Sequence, residues 1–322
     1  MKPGGKANKG YGRTLKFAIR NLLKDKFGGG NHATRRSHAA RLGRFRTFLN
    51  ASGVSDFKQI ERDHLVAYGC YIGELCDYGE LSIAYGNNLV SSANVMLDLL
   101  TNGAIARVSP SQMVGRRTYV RTAEPSGLDP DQYRPAIEDL IDKGHDRLAM
   151  MIGICRLAGA RFREASLLCL ADARKSANRV GEVVISKGSK GGRAKRKPRH
   201  IPAPELLVEL LATVGTRIAD QTVIPTTMNY IQWYAYAHRT WRQLAPEYGI
   251  SSKFHELRAA YACERWAVLT GAPAPCVIRP VGLFDVLPVE QRLSVADARL
   301  KVAIELGHGR VDVLTSYCGS MK

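Results

Sequence analysis

The spacing of apolar residues predicts that the first part of the chain is a bundle of helices. Apolar side chains recur every three or four positions in two runs, as they do on one buried face of a helix. The runs are Leu42, Phe45, Phe48 and Leu49, followed by Leu65, Tyr68, Tyr71, Ile72 and Leu75. Glycines at residues 28–30 and at Gly79 interrupt the helical spacing. We therefore expect a small helical domain over residues 13–120.

A different pattern begins after residues 121–130, where prolines and a glycine interrupt any regular period and indicate a linker. Helical spacing returns over much of residues 131–322, but residues 180–186 are β-rich and residues 199–202 resume an extended segment. A β-hairpin with a cationic tip is the natural prediction. The predicted helices lie at 132–143, 146–157, 161–170, 204–214, 227–244, 254–270 and 295–306. The predicted fold is mainly α with a small β-sheet, an α+β fold.

The strongly positive net charge of the chain indicates a polyanionic partner. The chain has 322 residues, enough for two domains, and a formal net charge of +18. Residues 1–46 contain thirteen Lys or Arg and one acid, and residues 187–199 contain seven and none. Residues 1–12 are rich in Gly and Lys, which predicts a disordered basic arm. The expected DNA contacts are Arg35, Arg36, Arg41 and Arg44 in the first domain, and Lys190, Arg193, Lys195, Arg196 and Lys197 at the hairpin tip.

Several classes of protein are excluded by composition. No apolar run approaches the roughly 20 residues that cross a bilayer, and no apolar stretch follows the basic start as in a secretory signal, so we expect no membrane partner. The seven cysteines form no C-x-x-C pair, which favours a reducing compartment and argues against zinc. No carboxylate cluster is evident, so we expect neither a metal nor another cofactor. The expected location is the cytoplasm.

Six residues spread over the second domain could act together on a phosphodiester. They are Arg161 after Gly159-Ala160, Lys187 directly after the first strand, His255 and Arg258 in an H-x-x-R motif, His308 after Leu306-Gly307, and Tyr317 nine residues later. A tyrosine hydroxyl, with a pKa of about 10, is a poor nucleophile unless cations stabilise the charge on the phosphate. Arginine suits that task because its planar fork contacts two oxygens at once. A lysine on a hairpin could protonate the leaving oxygen.

This ordered set resembles the active site of the tyrosine recombinases, the phage integrase superfamily. The resemblance implies a helical core-binding (SAM-like) domain and a catalytic domain that together form a C-shaped clamp on double-stranded DNA. It implies strand cutting and rejoining through a 3′-phosphotyrosyl intermediate, without metal or ATP. It also implies a homotetramer on synapsed recombination sites, and it leaves room for accessory DNA-bending proteins. The leading interpretation is an integrase of a prophage or another integrative mobile element, which implies a location in the bacterial cytoplasm and nucleoid.

The resemblance also implies a role for each residue of the set. The roles are phosphate binding for Arg161 and Arg258, general acid for Lys187, assisting base for His255, hydrogen bonding to the phosphate for His308, and nucleophile for Tyr317. Glu164 matches the acidic residue that commonly follows the first arginine, and it would orient its neighbours. Lys190 or Lys195 could replace Lys187 as the acid. Lys187 is favoured because it directly follows the strand.

The chain departs from the family pattern in several places. The usual threonine-glycine-leucine-arginine is Ala158-Gly159-Ala160-Arg161, and Ala259-Ala260-Tyr261 follows Arg258 where a His-Thr-Phe type of run is usual. Residues 272–294 read as a proline-containing insertion, and only five residues follow Tyr317, so we expect the insertion to supply part of the contact between subunits. Three alternatives stay open: a Xer-type dimer resolvase, a type IB topoisomerase and a DNA-binding protein without catalysis.

Overall fold

The structure, a computed structural model, describes residues 6–29, 31–189, 197–218, 222–278 and 289–321. Its internal contacts divide the chain into two units, Met1–Thr118 and Tyr119–Lys322. The expected division lay between residues 120 and 121, two residues further along the chain. The fold is helix-rich with one small two-stranded sheet in the described residues, so the α+β prediction is confirmed.

The first unit is a bundle of helices. Its elements are α1 (Leu15–Phe27), α2 (His32–Ala51), α3 (Arg62–Asp77), α4 (Ile83–Thr101) and the short α5 (Pro110–Val114). The apolar faces identified in the sequence supply its core, since Leu42, Phe45, Leu49, Tyr68 and Ile72 are all buried. Helices α3 and α4 both pack against α5. The hydrophobic periodicity therefore predicted α2 and α3 and most of the side that each one buries, although Tyr71 of the second run is 41% exposed.

Residues 6–12, which fall within the predicted disordered arm, are folded against this unit. Asn8 is completely buried within a short 3₁₀ turn, Ala7–Gly10. Its backbone N–H donates to the Asp56 carboxylate at 2.7 Å, and its side-chain oxygen accepts from the Phe57 N–H at 2.9 Å. The prediction of disorder was wrong for these residues because a buried asparagine that pairs with the backbone, together with the packing of Tyr11 against Phe57, can fix a segment with few apolar residues. Residues 1–5 lie outside the described part of the chain.

The second unit surrounds a large core with helices and one hairpin. Its helices are α6 (Pro130–Asp142), α7 (Asp146–Leu157), α8 (Phe162–Ser166), α9 (Leu170–Val180), α10 (Glu205–Arg217), α11 (Tyr230–Leu244), α12 (Phe254–Thr270), α13 (Val289–Glu305) and α14 (Thr315–Cys318). Strands β1 (Glu182–Ile185) and β2 (Arg199–Pro202) pair antiparallel, with Ile185 opposite Arg199. Helix α7 is buried on all sides, and α6, α10 and α12 pack against it.

Two sequence predictions differ from this arrangement. The helix predicted over residues 161–170 is two helices, α8 and α9, because the backbone of Cys169 forms a β-bridge with Thr222 between them. Helix α13 begins six residues earlier than predicted. Residues 190–196 of the hairpin tip and residues 279–288 of the predicted insertion lie outside the described residues. Among the described residues, no helix is long and apolar enough to cross a membrane and no group of three metal-ligating side chains occurs.

Candidate active site

Five of the six predicted residues meet at one place in the second unit. Arg161 immediately precedes α8, His255 and Arg258 lie in the first turns of α12, His308 follows α13, and Tyr317 lies within α14. Gly159 makes this meeting possible, because its φ of +56° turns the chain between α7 and α8. A Cβ atom at Gly159 would lie 2.3 Å from the Tyr261 ring, so no other residue fits there. Tyr261, one of the departures from the family pattern, thus packs directly behind the site.

Arg258 is the buried centre of the cluster, with only 1% of its surface exposed. Its two Nη atoms donate to the carbonyl oxygens of Gly159 and Leu306, which fix the plane of the guanidinium. Its Nε lies 3.3 Å from the Tyr317 hydroxyl, and Nη2 lies 3.4 Å from His308 Nε2. Burial lowers the pKa of Arg258 to about 10, while the nearby Tyr317 and Glu164 oppose that shift. The group therefore stays a cation at neutral pH although it is removed from water.

His308 contacts both arginines and the tyrosine through a single ring nitrogen. Its Nε2 lies 3.4 Å from Arg161 Nη2, 3.4 Å from Arg258 Nη2 and 3.2 Å from the Tyr317 hydroxyl. Guanidinium nitrogens only donate, so these contacts assign Nε2 as an acceptor and place the ring proton on Nδ1. Burial, followed by the charges of Arg258, Arg161 and Arg199, lowers the pKa of His308 to about 4. The ring is therefore neutral in the folded protein near pH 7.

Tyr317 is held with its hydroxyl pointing into this cluster, and it is 4% exposed. The ring of His255 lies beside it, with ring centroids 5.0 Å apart. His255 keeps more than a third of its surface in solvent. Partial burial of its ring and the charge of Arg258 nevertheless lower its pKa. His255 and His308 thus flank the phenol as neutral rings, and His308 is the one within hydrogen-bond distance of it.

A buried carboxylate, Glu164, organises the arginines. Its side chain has no exposed surface and lies 2.8 Å from Arg161 Nη1, 2.5 Å from Arg199 Nη2 and 3.8 Å from Arg258 Nη1. Burial alone would raise the pKa of Glu164, but Arg199, the backbone N–H of Arg161 and the Arg161 side chain hold it below its usual value. Glu164 was singled out in the sequence, whereas Arg199 was not, because it ends a run of seven basic residues. The signal that could have distinguished it is its place at the start of the predicted strand, two residues before Ile201 and therefore on the same face of β2.

The helix that carries Tyr317 is held by the start of the second unit. The Arg121 N–H donates to the Thr315 carbonyl at 2.8 Å, and the Arg121 guanidinium binds both oxygens of Glu256, at 2.6 and 3.0 Å. Glu256 is next to His255 on α12. The thiols of Cys263 and Cys276 lie 3.6 and 3.7 Å from the Tyr317 carbonyl. The backbone on both sides of the tyrosine is therefore anchored, although sequence reasoning did not identify Arg121.

Lys187 is exposed and lies two residues beyond the end of β1, so Ser186 separates it from the strand that it was predicted to follow directly. Within the described ranges its amine forms no hydrogen bond or ion pair with the five-residue cluster. The backbone next to it is nevertheless close to the site. Gly188 has a φ of +83°, and a Cβ atom there would lie 2.7 Å from the Arg163 carbonyl oxygen on α8. The base of the hairpin therefore packs against the helix that follows Arg161. The amine itself extends from that fixed point.

The predicted DNA-contacting residues fall in two groups. Arg35, Arg36, Arg41 and Arg44 all lie on α2, where Arg36 and Arg44 are exposed and the other two are half-buried. Arg35 and Arg36 line a groove between α1 and α2 to which Arg20 and Lys24 add two further cations. In the hairpin, Lys197 is exposed. The other predicted contacts, Lys190, Arg193, Lys195 and Arg196, lie outside the described residues.

The low pKa of His308 predicts how stability and ring protonation depend on pH. An unfolded histidine has a pKa of about 6.5. Between about pH 6.5 and 4, His308 is therefore protonated in the unfolded chain and neutral in the folded protein. The free energy of unfolding should therefore fall as the pH is lowered through that window. Replacing His308 by Gln should reduce this fall. NMR titration should show the His308 ring neutral down to about pH 5, and a midpoint near 6.5 would contradict the structure.

Comparison with solved structures places this arrangement in a known fold. A lambda integrase dimer bound to a core site matches 96% of this chain and 77% of its own, with a TM-score of 0.58 and 15% identity. The Tn1549 transposon integrase in complex with transposon right end DNA matches 94% of this chain and 95% of its own (TM-score 0.56, 13% identity). The XerH site-specific recombinase bound to a palindromic difH substrate matches 94% of this chain and 80% of its own (TM-score 0.56, 15% identity). This chain has the tyrosine recombinase fold.

The likeness is one of structure rather than of sequence. No protein-family model matches the chain, and no curated protein matches it significantly. At 13–15% identity the tyrosine recombinase fold is visible mainly in how the elements are arranged. The cluster of arginines, histidines and tyrosine is separate evidence for a tyrosine recombinase site. It depends on the order of these residues in the sequence and on the distances between their side chains, not on the matched structures.

Proposed function

We propose that this protein is a tyrosine site-specific recombinase that cuts and rejoins DNA through a 3′-phosphotyrosyl intermediate. The observation that carries the proposal is the placement of the Tyr317 hydroxyl 3.3 Å from Arg258 Nε and 3.2 Å from His308 Nε2, within one chain. A phenol beside a buried guanidinium is placed to attack an electrophile that the same guanidinium binds. The tyrosine recombinase fold adds support, because the matched proteins include DNA-bound integrases and a Xer recombinase.

In the cleavage step the Tyr317 oxygen attacks the scissile phosphorus and the bond to the 5′ oxygen breaks. Arg161 and Arg258 bind the non-bridging oxygens and offset the charge that develops on them. The phenol proton passes to a neighbouring acceptor. His308 Nε2 is the ring nitrogen within reach in the DNA-free protein, and His255 is the second neutral ring beside the phenol. Lys187 protonates the departing 5′ oxygen.

The rejoining step is the reverse reaction with a new strand. A 5′ hydroxyl from the partner DNA attacks the phosphotyrosine, and the phenolate leaves and regains its proton. Each step breaks one phosphate ester bond and forms another, so the reaction needs no ATP. For integration, we infer a homotetramer on two synapsed sites. An integrative mobile element is the favoured biological setting, and a Xer-type resolvase is the alternative with the same chemistry.

The role of Lys187 predicts a rescue by a better leaving group. The Lys187→Ala variant should cleave an ordinary phosphodiester about 10²- to 10⁴-fold more slowly than the wild type, as expected for loss of a general acid. With a 5′-bridging sulfur, which leaves without a proton, the two proteins should react at similar rates. Cleavage rates on paired substrates test this.

Lys197→Ala is the matched control, since Lys197 is an exposed lysine on the other side of the hairpin. It should lower DNA affinity slightly and leave both cleavage rates unchanged at saturating DNA. Equal impairment of Lys187→Ala on both substrates would reject Lys187 as the acid. The same pair of substrates would then be applied to Lys190→Ala and Lys195→Ala.

Covalent capture on nicked DNA tests the whole proposal. The substrate is made from the DNA that flanks the gene, where an attachment site of an integrated element would lie. A nick near the cleavage point lets the released fragment diffuse away, so the phosphotyrosine accumulates as a species stable in detergent. Absence of capture along the whole flanking sequence would favour a DNA-binding protein. Relaxation of a plasmid that lacks the site, at low enzyme concentration, would favour a type IB topoisomerase.

A further inference from the structure

One buried arginine, Arg199, has no role in the chemistry described above and yet connects three parts of the site. It is the first residue of β2 and is 7% exposed, so it cannot serve as a surface contact for DNA in this arrangement. Its Nη2 donates to Glu164 Oε2 at 2.5 Å, and Glu164 in turn holds Arg161. A buried charge is retained only when its partners compensate for lost hydration, so this contact is a fixed part of the fold.

The other end of Arg199 holds the segment that carries His308. Its Nη1 donates to the Glu305 carbonyl oxygen at 2.9 Å, at the last residue of α13. Gly307, with a φ of +68°, lies flat against the same side chain, since a Cβ atom there would come within 2.8 Å of Arg199 Cδ. The Glu305 carboxylate is itself held by Tyr261, at 2.7 Å, and by Arg265. Arg199 therefore acts as a spacer between Glu164 and the turn that ends in His308.

Arg199 also connects the site to the hairpin. Arg199 pairs with Ile185 of β1, and Lys187 lies two residues after Ile185 in the sequence. The hairpin is thus attached to α8 at two points: Arg199 of β2 pairs with Glu164 of α8, and Gly188, after β1, packs closely against Arg163 of α8. Two attachment points on one short hairpin limit its tilt relative to α8. The position from which Lys187 extends is set by the same contacts that orient Arg161.

We propose that Arg199 is a positioning residue that holds Arg161, His308 and the base of the Lys187 hairpin in register for strand cleavage. It acts through Glu164 and the Glu305 carbonyl and does not itself contact the DNA. The proposal rests on the proposed recombinase function for its kinetic consequence, but its geometric consequence is independent of activity. Lysine at this position would keep the charge beside Glu164 and lose the fork that reaches both partners at once.

Single-turnover cleavage of the nicked substrate at saturating DNA tests the kinetic consequence. Arg199→Lys should cleave about 10-fold more slowly, and Arg199→Met about 100-fold more slowly, while the dissociation constant for DNA stays within about threefold of wild type. When Arg199→Met is added to the Arg161→Lys variant, the cleavage rate should fall by less than about a further fivefold, because the effects of residues that act through one another are not additive. Full additivity, or an unchanged rate for Arg199→Lys, would overturn the proposal.

Arg156→Lys is the matched control for loss of a buried arginine. Arg156 is completely buried on α7 and pairs with Glu264 and the Gly127 carbonyl, away from the cluster. This variant should lower the thermal midpoint and leave the cleavage rate of the folded protein unchanged. If Arg199→Met fails to fold by circular dichroism, Arg199→Lys decides the question alone, since it retains the charge that Glu164 requires. If Arg156→Lys lost as much of the cleavage rate as Arg199→Lys, the loss would be a general effect of stability, and the proposal would be overturned.

A second readout separates this inference from the proposed function. If the wild type captures no DNA, the recombinase proposal fails, and the arrangement around His308 can still be measured by NMR. Arg199→Met should raise the pKa of His308 by about one unit, because it removes a nearby cation and loosens the turn at Gly307. An unchanged His308 titration in Arg199→Met would overturn the positioning role whether or not the protein cleaves DNA.

Discussion

Replacing Tyr317 by Phe should abolish covalent capture of DNA while leaving DNA binding intact. The substitution removes one oxygen, and with it the only atom of the cluster that can form the phosphotyrosine. We expect no capture above background, a loss of at least about 10⁴-fold given the contribution of a nucleophile to covalent catalysis. The measurement is a gel assay of protein linked to labelled nicked DNA, with a mobility-shift assay on the same sample.

The structure explains why binding should survive this change. The Tyr317 ring packs beside His255 and over Arg258, whose guanidinium carbon lies 5.5 Å from the ring centroid, and phenylalanine keeps those contacts. The hydroxyl is 3.3 Å from Arg258 Nε, but the two Nη atoms of Arg258 are held by the carbonyls of Gly159 and Leu306. Loss of the phenol therefore leaves the arginine fixed. Its phosphate-binding capacity should stay close to that of the wild type.

Tyr119→Phe is the matched control. Tyr119 is the first residue of the second unit and is 65% exposed, so the same loss of a hydroxyl there touches no part of the cluster. It should capture DNA at the wild-type rate. Capture by Tyr317→Phe at a rate comparable to the wild type would show that another residue is the nucleophile. Mapping the linked peptide by mass spectrometry would then identify it.

Much of the fold that carries the site is visible in the sequence. Helices α7 and α12 have the bounds that periodicity predicts, Asp146–Leu157 and Phe254–Thr270, because each carries long unbroken runs of helix-compatible residues between clear ends. The second strand, β2, was also predicted correctly. The H-x-x-R spacing on α12 placed His255 and Arg258 one turn apart, since residues i and i+3 are neighbours on a helix.

The interior contacts of the site are not encoded in any local pattern. Arg199 lies among basic residues that look alike in the sequence, and only the fold shows that its side chain is buried against Glu164. Arg121 is distant in sequence from both Glu256 and Thr315, which it joins. Such contacts depend on tertiary packing between elements, and a single chain gives no signal for them. The burial of Asn8 was missed for the same reason, because glycine and lysine content alone predicted disorder there.

The second large effect is expected at Arg258, where the conservative change to Lys should lower the cleavage rate about 10³-fold or more. Lysine carries the same charge but presents one nitrogen in place of a planar fork. The guanidinium contacts two backbone carbonyls, the phenol and His308 simultaneously, and one ammonium cannot replace all four contacts. The carbonyls of Gly159 and Leu306 would lose a buried donor, and the phenol would lose the cation beside it.

Single-turnover cleavage at saturating DNA measures this loss, and circular dichroism shows whether the variant is folded. Arg217→Lys is the control, because Arg217 is 59% exposed and pairs only loosely with Asp146, at 3.7 Å. It should react like the wild type. If Arg258→Lys were folded and cleaved DNA at more than about a tenth of the wild-type rate, charge alone would suffice. The fixed guanidinium geometry would then not be what activates the reaction, and the catalytic contribution would have to come from Arg161 and the hairpin lysine instead.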